Sequence, residues 1–70
     1  MNYLLLIAMV SRPAIEIAII SNRPDIAYSF ALETERVMLT CKVFPQDCEK
    51  VYLNHKRLLE LNTMRLKEDI

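Results

Sequence analysis

Apolar and polar positions divide the chain into four stretches separated by short breaks. Tyr3 to Val10 is an unbroken apolar run ending at Ser11-Arg12-Pro13, and by itself it predicts a buried strand. In the next stretch Ile15, Ile17 and Ile19 alternate with Glu16 and Ala18. β-Branched residues at a period of two predict a second strand. The connection at Arg12-Pro13 is too short for a parallel crossover, so the two strands are expected to pair as a hairpin. Ser21 to Asp25 is the clearest break and admits two readings. Asn22 can cap a helix with Pro24 in its first turn and Asp25 against its dipole, burying Ile26, Phe30 and Ala31. Alternatively Ile26, Tyr28, Phe30 and Leu32 alternate with Ala27, Ser29, Ala31 and Glu33 as a strand. A second helix at about 24–35 therefore stays open beside a strand.

Residues 37–44 read as a strand, with Val37, Leu39, Cys41 and Val43 on one face and Met38, Thr40, Lys42 and Phe44 on the other. Pro45 stops it, since proline cannot donate to a sheet ladder. From Gln46 the pattern turns helical. Asp47 stands at the start, and no glycine or proline follows before Lys67. Cys48, Val51, Tyr52, His55, Leu58, Leu59, Asn62 and Leu66 recur at the spacing of one helical face and predict its core side. Leu53, Leu61 and Met64 fall on the other side, among Lys50, Arg57 and Glu60. The expected fold is α+β in a single domain over 1–70. It consists of a small, mainly antiparallel sheet of three to four strands packed by a long C-terminal helix.

Composition adds a surplus of apolar surface. Of 70 residues 53% are hydrophobic, yet a chain of this size buries only ~60% of its unfolded surface. Apolar patches should remain, and self-association is expected to cover them. Nine basic residues balance nine acidic ones, which disfavours a protein whose main task is neutralising phosphates. The chain has no glycine, so it has no phosphate-cradling P-loop, dinucleotide fingerprint or glycine-rich oxyanion turn. The run Tyr3–Val10 is shorter than the roughly 20 residues of a membrane span, and no Lys or Arg precedes it as in a signal peptide. No membrane span and a cytoplasmic location are expected. Two cysteines are too few for a disulfide scaffold and fit a reduced setting.

Candidate chemistry is confined to Cys41, Cys48 and His55, the two cysteines and the single histidine. Their types suit zinc, but seven helical residues rise ~10.5 Å while zinc ligands converge to ~2.0–2.3 Å. Cys48 and His55 cannot share one ion, and a cysteine nucleophile needs its base at about 3 Å. A small enzyme or metal protein built on Cys41 and His55 is the remotest alternative. A Cys41–Cys48 disulfide is geometrically open and disfavoured by a reduced compartment. Lys50, Lys56 and Arg57 support a second alternative, nucleic-acid binding by the last helix. Acidic Asp47, Glu49, Glu60, Glu68 and Asp69 offset the basic side chains of that segment.

Residues 14–25, "AIEIAIISNRPD", resemble the second strand and following turn of folate-dependent formyltransferases. The likeness covers a dozen residues. The family's glycine-rich turn and its catalytic Asn-His-Asp set are missing here, so it implies only a strand running into a helix. The function expected is that of a non-catalytic interaction or regulatory protein, binding a protein partner and forming a homo-oligomer. Small stand-alone proteins of this kind are frequent among phage and mobile-element products. Leu53, Leu61 and Met64 are the expected interface, and neither a cofactor nor a metal is expected.

Overall fold

Helices occupy every stretch for which strands were expected. A computed structural model describes residues 2–68 and contains α1 (Tyr3–Ile20), α2 (Pro24–Val43), one turn of 3-10 helix (Pro45–Asp47) and α3 (Cys48–Glu68). Short connections turn the chain back at each end, giving an up-down-up bundle measuring 38 × 17 × 14 Å. α1 and α3 thus run parallel. The Tyr3 and Tyr52 rings meet at one end, their centroids 5.4 Å apart. At the other end the Ser21 hydroxyl donates to the Leu66 carbonyl at 3.5 Å.

The α+β expectation is therefore wrong: no strand occurs among the described residues, segments 3–10 and 15–19 are helical, and the expected strand 37–44 is helix up to Val43 with Phe44 as its C-cap. The reason lies in which residues face inward. Each helix buries a stripe at alternating four- and three-residue steps, the spacing of a coiled-coil seam. In α1 the stripe is Ile7, Ser11, Ala14 and Ala18, and in α2 it is Phe30, the half-buried Thr34, Val37 and Cys41. In α3 it is Cys48, Tyr52, His55, Leu59 and Leu66. The isoleucines that suggested a strand flank a narrow alanine seam. Ile15 and Ile17 are half-buried on its two sides, and Ile19 points to solvent. Only the C-terminal helix and the helical option for 24–35 match the expected elements, and α2 runs well past 35.

Helix ends follow local chemistry. Asn2 caps α1, its side chain accepting from the Leu5 N–H at 3.4 Å. Between α1 and α2, Asn22 stands at φ 60° instead of capping α2 as expected. Its N–H bonds the Ile19 carbonyl and the Arg23 N–H bonds the Ala18 carbonyl. This paired C-terminal closure needs one left-handed residue, and in a chain without glycine an asparagine fills the place. Arg23 becomes the N-cap of α2 and Pro24 its first residue. The strand-turn-helix join implied by the formyltransferase likeness is absent, since α1 continues to Ile20.

Two structural points correct the premises of the sequence reading. Pro13 lies inside α1 and does not end it, so the apolar segment extends to Ile20. This 18-residue helix, of mean hydropathy 1.9, is long and apolar enough to cross a membrane by length and composition alone. A mostly buried core helix and an N-terminal signal sequence pass the same test, 22% of this helix is buried inside the bundle, and Ser11 of α1 is bonded to residues of both other helices. Secondly, Cys41 and Cys48 form a disulfide with their Cα atoms 4.5 Å apart, tying the last turn of α2 to the first turn of α3.

Candidate functional site

Ser11, Thr34 and His55 occupy the same level of the bundle, one residue from each helix. On one side of them lies an apolar cluster of Ile7, Val37, Cys41, Cys48 and Tyr52. On the other lies a cluster of Ala14, Ala18, Phe30, Leu59 and Leu66. The polar layer divides the core in two. Ser11 is 2% and His55 1% exposed, so both must find partners inside the protein.

The partners are present. Ser11 Oγ stands 2.8 Å from His55 Nε2 and 2.7 Å from the Ile7 carbonyl, to which it donates. Thr34 Oγ1 donates within 2.9 Å of Ser11 Oγ and lies 2.8 Å from the Phe30 carbonyl. His55 Nδ1 faces Glu33 Oε1 at 3.4 Å. Among the described residues no buried side-chain nitrogen or oxygen lacks a partner.

Serine, histidine and carboxylate in this order have the connectivity of a hydrolytic triad. The surroundings differ from those of one. Ser11 is enclosed, and its backbone belongs to the interior of α1, where N–H groups are held by carbonyls of the preceding turn. No pair of free N–H groups is thereby offered to a developing oxyanion. A hollow of about 220 Å³ reaches His55 and Glu33 from outside, between α2 and α3, with Arg36, Val37, Thr40, Val51 and Asn54 as its other walls. It meets the histidine, while the serine lies behind. What the arrangement supports directly is alignment of the three helices: a shift of any helix along the bundle would strand a buried polar group.

The sequence-expected residues are placed as follows. Cys41 and Cys48 are joined to each other, so neither is a free thiol, and His55 pairs with Ser11 instead of with Cys41. Among the described residues no three His, Cys, Asp or Glu side chains gather as a cation site would require. Lys50 and Arg57, seven residues apart, share one side of α3, whereas Lys56 lies about 100° round from Arg57, so the basic trio does not form one patch. Leu53, Leu61 and Met64 are each more than half exposed on the outer face of α3. They are not alone in this. Leu5, Met9, Ile19 and Ile20 of α1 and Tyr28, Leu32, Leu39 and Val43 of α2 also point outward.

Sequence reasoning missed Ser11 and Glu33. Ser11 precedes Arg12-Pro13 and resembles part of a turn. The available signal was its place in the Ile7-Ser11-Ala14-Ala18 seam, which sets a serine level with His55. No protein family model, curated protein or solved structure matches this chain.

Proposed function

We propose that this protein acts by binding and not by catalysis: it is a three-helix module that associates with a protein partner, copies of itself included, through outward apolar helix faces. The observation behind this reading is the distribution of large apolar side chains, which lie exposed on all three helices while serine and alanines fill much of the α1 seam. Isolated exposed apolar residues are ordinary on a soluble protein, whereas runs of them along successive helix turns mark contact surfaces. On α3 the surface is Leu53, Leu61 and Met64. Met64 also borders a groove of about 480 Å³ between α1 and α3, walled by Val10, Pro13, Ala14, Leu59, Glu60, Thr63 and Lys67.

The test is the solution mass. The wild type should run above the 8.2 kDa of one chain in multi-angle light scattering. Leu53→Glu with Leu61→Glu should lower that mass while helix content by circular dichroism holds, because both positions are exposed and glutamate is a good helix former. An unchanged mass would remove the α3 face from the reading.

The disulfide bears on location. Disulfides persist in oxidising compartments, so the cytoplasmic setting read from composition requires Cys41 and Cys48 to stand as thiols there. Thiol counting on protein trapped with an alkylating agent in its native host distinguishes the two states.

A further inference from the structure

Glu33 and Arg36 line the same hollow without pairing with each other. On α2 they stand with Thr40 within about 60° of arc, facing Val51, Asn54 and His55 of α3 across a space of about 220 Å³. Opposite charges three residues apart on a helix are neighbours and commonly attract. Here Glu33 Oε1 faces His55 Nδ1 at 3.4 Å, and the second carboxylate oxygen has no partner among the described residues. The exposed Arg36 side chain likewise makes no ion pair or hydrogen bond among them. His55 is 1% exposed and both of its ring nitrogens are engaged, one with Glu33 and one with Ser11. It forms a fixed floor beneath two charges that each retain bonding capacity.

We propose that this hollow binds a small zwitterion, an α-amino acid, with its carboxylate on Arg36 and its ammonium on Glu33. A simple anion at Arg36 would meet the Glu33 carboxylate one turn away, and a simple cation at Glu33 would meet the guanidinium. A molecule that carries both charges satisfies both residues. The planar guanidinium fork suits a carboxylate, and the free oxygen of Glu33 accepts from an ammonium group. Neighbours at this helical spacing have Cβ atoms ~5–6 Å apart, which fits charges separated by only a few bonds. Asn54, at the rim, has both a donor and an acceptor and can serve either group.

Size points the same way. The hollow is smaller than the ~300–1,000 Å³ of pockets that hold drug-sized molecules, so its occupant has few heavy atoms. Thr40, Val51 and Asn54 are also walls of a second hollow of about 550 Å³, completed by Asp47 and Lys50, which leaves room for a side chain beyond the two charged groups. None of Leu53, Leu61 and Met64 lines either hollow. This site and the partner-binding reading therefore succeed or fail separately.

The experiment uses the single histidine of the chain, whose ring resonances report the floor of the hollow by NMR. The full chain is titrated with glycine, alanine and serine to about 50 mM at fixed pH and ionic strength, with acetate and methylammonium as carriers of one charge each. The amino acids should shift the His55 resonances saturably, with half-saturation on the order of 1 mM, and the single-charge controls should need about tenfold more. Arg36→Gln and Glu33→Gln should each weaken amino-acid binding about tenfold or more. Arg36→Lys should fall between wild type and Arg36→Gln, since it keeps the charge and loses the fork. Arg36 is exposed, glutamine retains an acceptor at position 33, and both replacements favour helix, so circular dichroism should show an intact bundle. No saturable shift with any of the three amino acids overturns the site. Acetate as effective as alanine would make it an anion site and overturn the zwitterion, and so would Glu33→Gln or Arg36→Gln binding like the wild type.

Discussion

Replacing Ser11 with alanine removes the oxygen that lies 2.8 Å from His55 Nε2 and 2.9 Å from Thr34 Oγ1. Thr34 keeps the Phe30 carbonyl at 2.8 Å, so its hydroxyl is not orphaned. His55 Nε2 is left facing a methyl group at a site 1% exposed, where no water replaces the lost partner. A buried polar group left unpaired costs about 1–3 kcal/mol. That is a large share of the roughly 4–10 kcal/mol available to a domain of this length, and it lowers Tm by about 8–16 °C for a loss near 2 kcal/mol. His55→Leu is milder. Ser11 Oγ retains the Ile7 carbonyl at 2.7 Å and Thr34, and the partly exposed Glu33 carboxylate turns to water. Its cost should stay near 1 kcal/mol, because leucine is close to histidine in volume and nothing buried is left unpaired.

Ser11→Ala with His55→Leu removes both partners together, and exchanging a buried polar pair for apolar side chains is often close to neutral. The double variant should therefore be more stable than Ser11→Ala alone, with a coupling of about 1–3 kcal/mol. Urea unfolding followed by circular dichroism, with equal slopes across the four proteins, measures the cycle. Additivity within about 0.5 kcal/mol would refute the reasoning, because Ser11 and His55 would then contribute independently of their bond.

Two further outcomes are expected. Reducing Cys41–Cys48, or replacing both with serine, opens a loop of roughly eight residues and should cost about 2 kcal/mol by chain entropy, read as a fall in Tm of about 8–16 °C; no change on reduction would show that the α2–α3 turn holds without the bond. Pro13→Ala restores an N–H to the interior of α1 and should stabilise the bundle by about 2 kcal/mol, the ~3 kcal/mol penalty of an internal proline less the entropy that proline removes from the unfolded chain. Thermal unfolding of this variant checks it, and a fall in Tm would mean that the groove-lining Pro13 ring is worth more in packing than the missing bond costs.

How much of this could be read from the sequence differs by helix, for a physical reason. α3 was legible because its inner stripe is made of bulky residues, Tyr52, Leu59 and Leu66, set against charged positions such as Glu49, Arg57 and Lys67. The period of a helix shows when large and charged residues occupy opposite sides. In α1 the arrangement is reversed. Ser11, Ala14 and Ala18 face inward while Leu5, Met9, Ile19 and Ile20 face outward, so a search for the most hydrophobic face finds the wrong side or none. The short period of two at Ile15, Ile17 and Ile19 then filled the gap. In α2 the run Val37 to Phe44 is apolar on both sides because Val37 and Cys41 face the core whereas Leu39 and Val43 face out, and a two-sided run is indistinguishable from a central strand. His55 was legible as a residue of the inner face. Its bond to Ser11 joins residues 44 apart in the chain, a pairing that only the parallel placement of α1 and α3 creates. Composition disfavours the disulfide only through the compartment it suggests, whereas the tight turn at Pro45 brings the ends of α2 and α3 together.

The inverted α1 has a consequence for the whole molecule. Small inward side chains let α1 lie close to its neighbours, but they bury little apolar area, and a leucine or isoleucine left in water forgoes about 1.5–3 kcal/mol of burial. Exchanging the inner and outer residues of α1 would serve a solitary bundle better. The sequence instead spends polar bonding inside, at Ser11, Thr34 and His55, and leaves Leu5, Met9, Tyr28, Leu39, Leu53 and Met64 outside. The inner layer gives alignment and the outer residues give adhesion, two tasks that pull a helix sequence in opposite directions. On the binding proposed above, such a chain would gain its missing apolar burial on meeting a second surface. On α1 the charges of Arg12 and Glu16 satisfy each other, on α3 charges are mixed among the leucines, and on α2 Glu35 and Arg36 flank the apolar stripe of Tyr28, Leu32, Leu39 and Val43 on opposite sides.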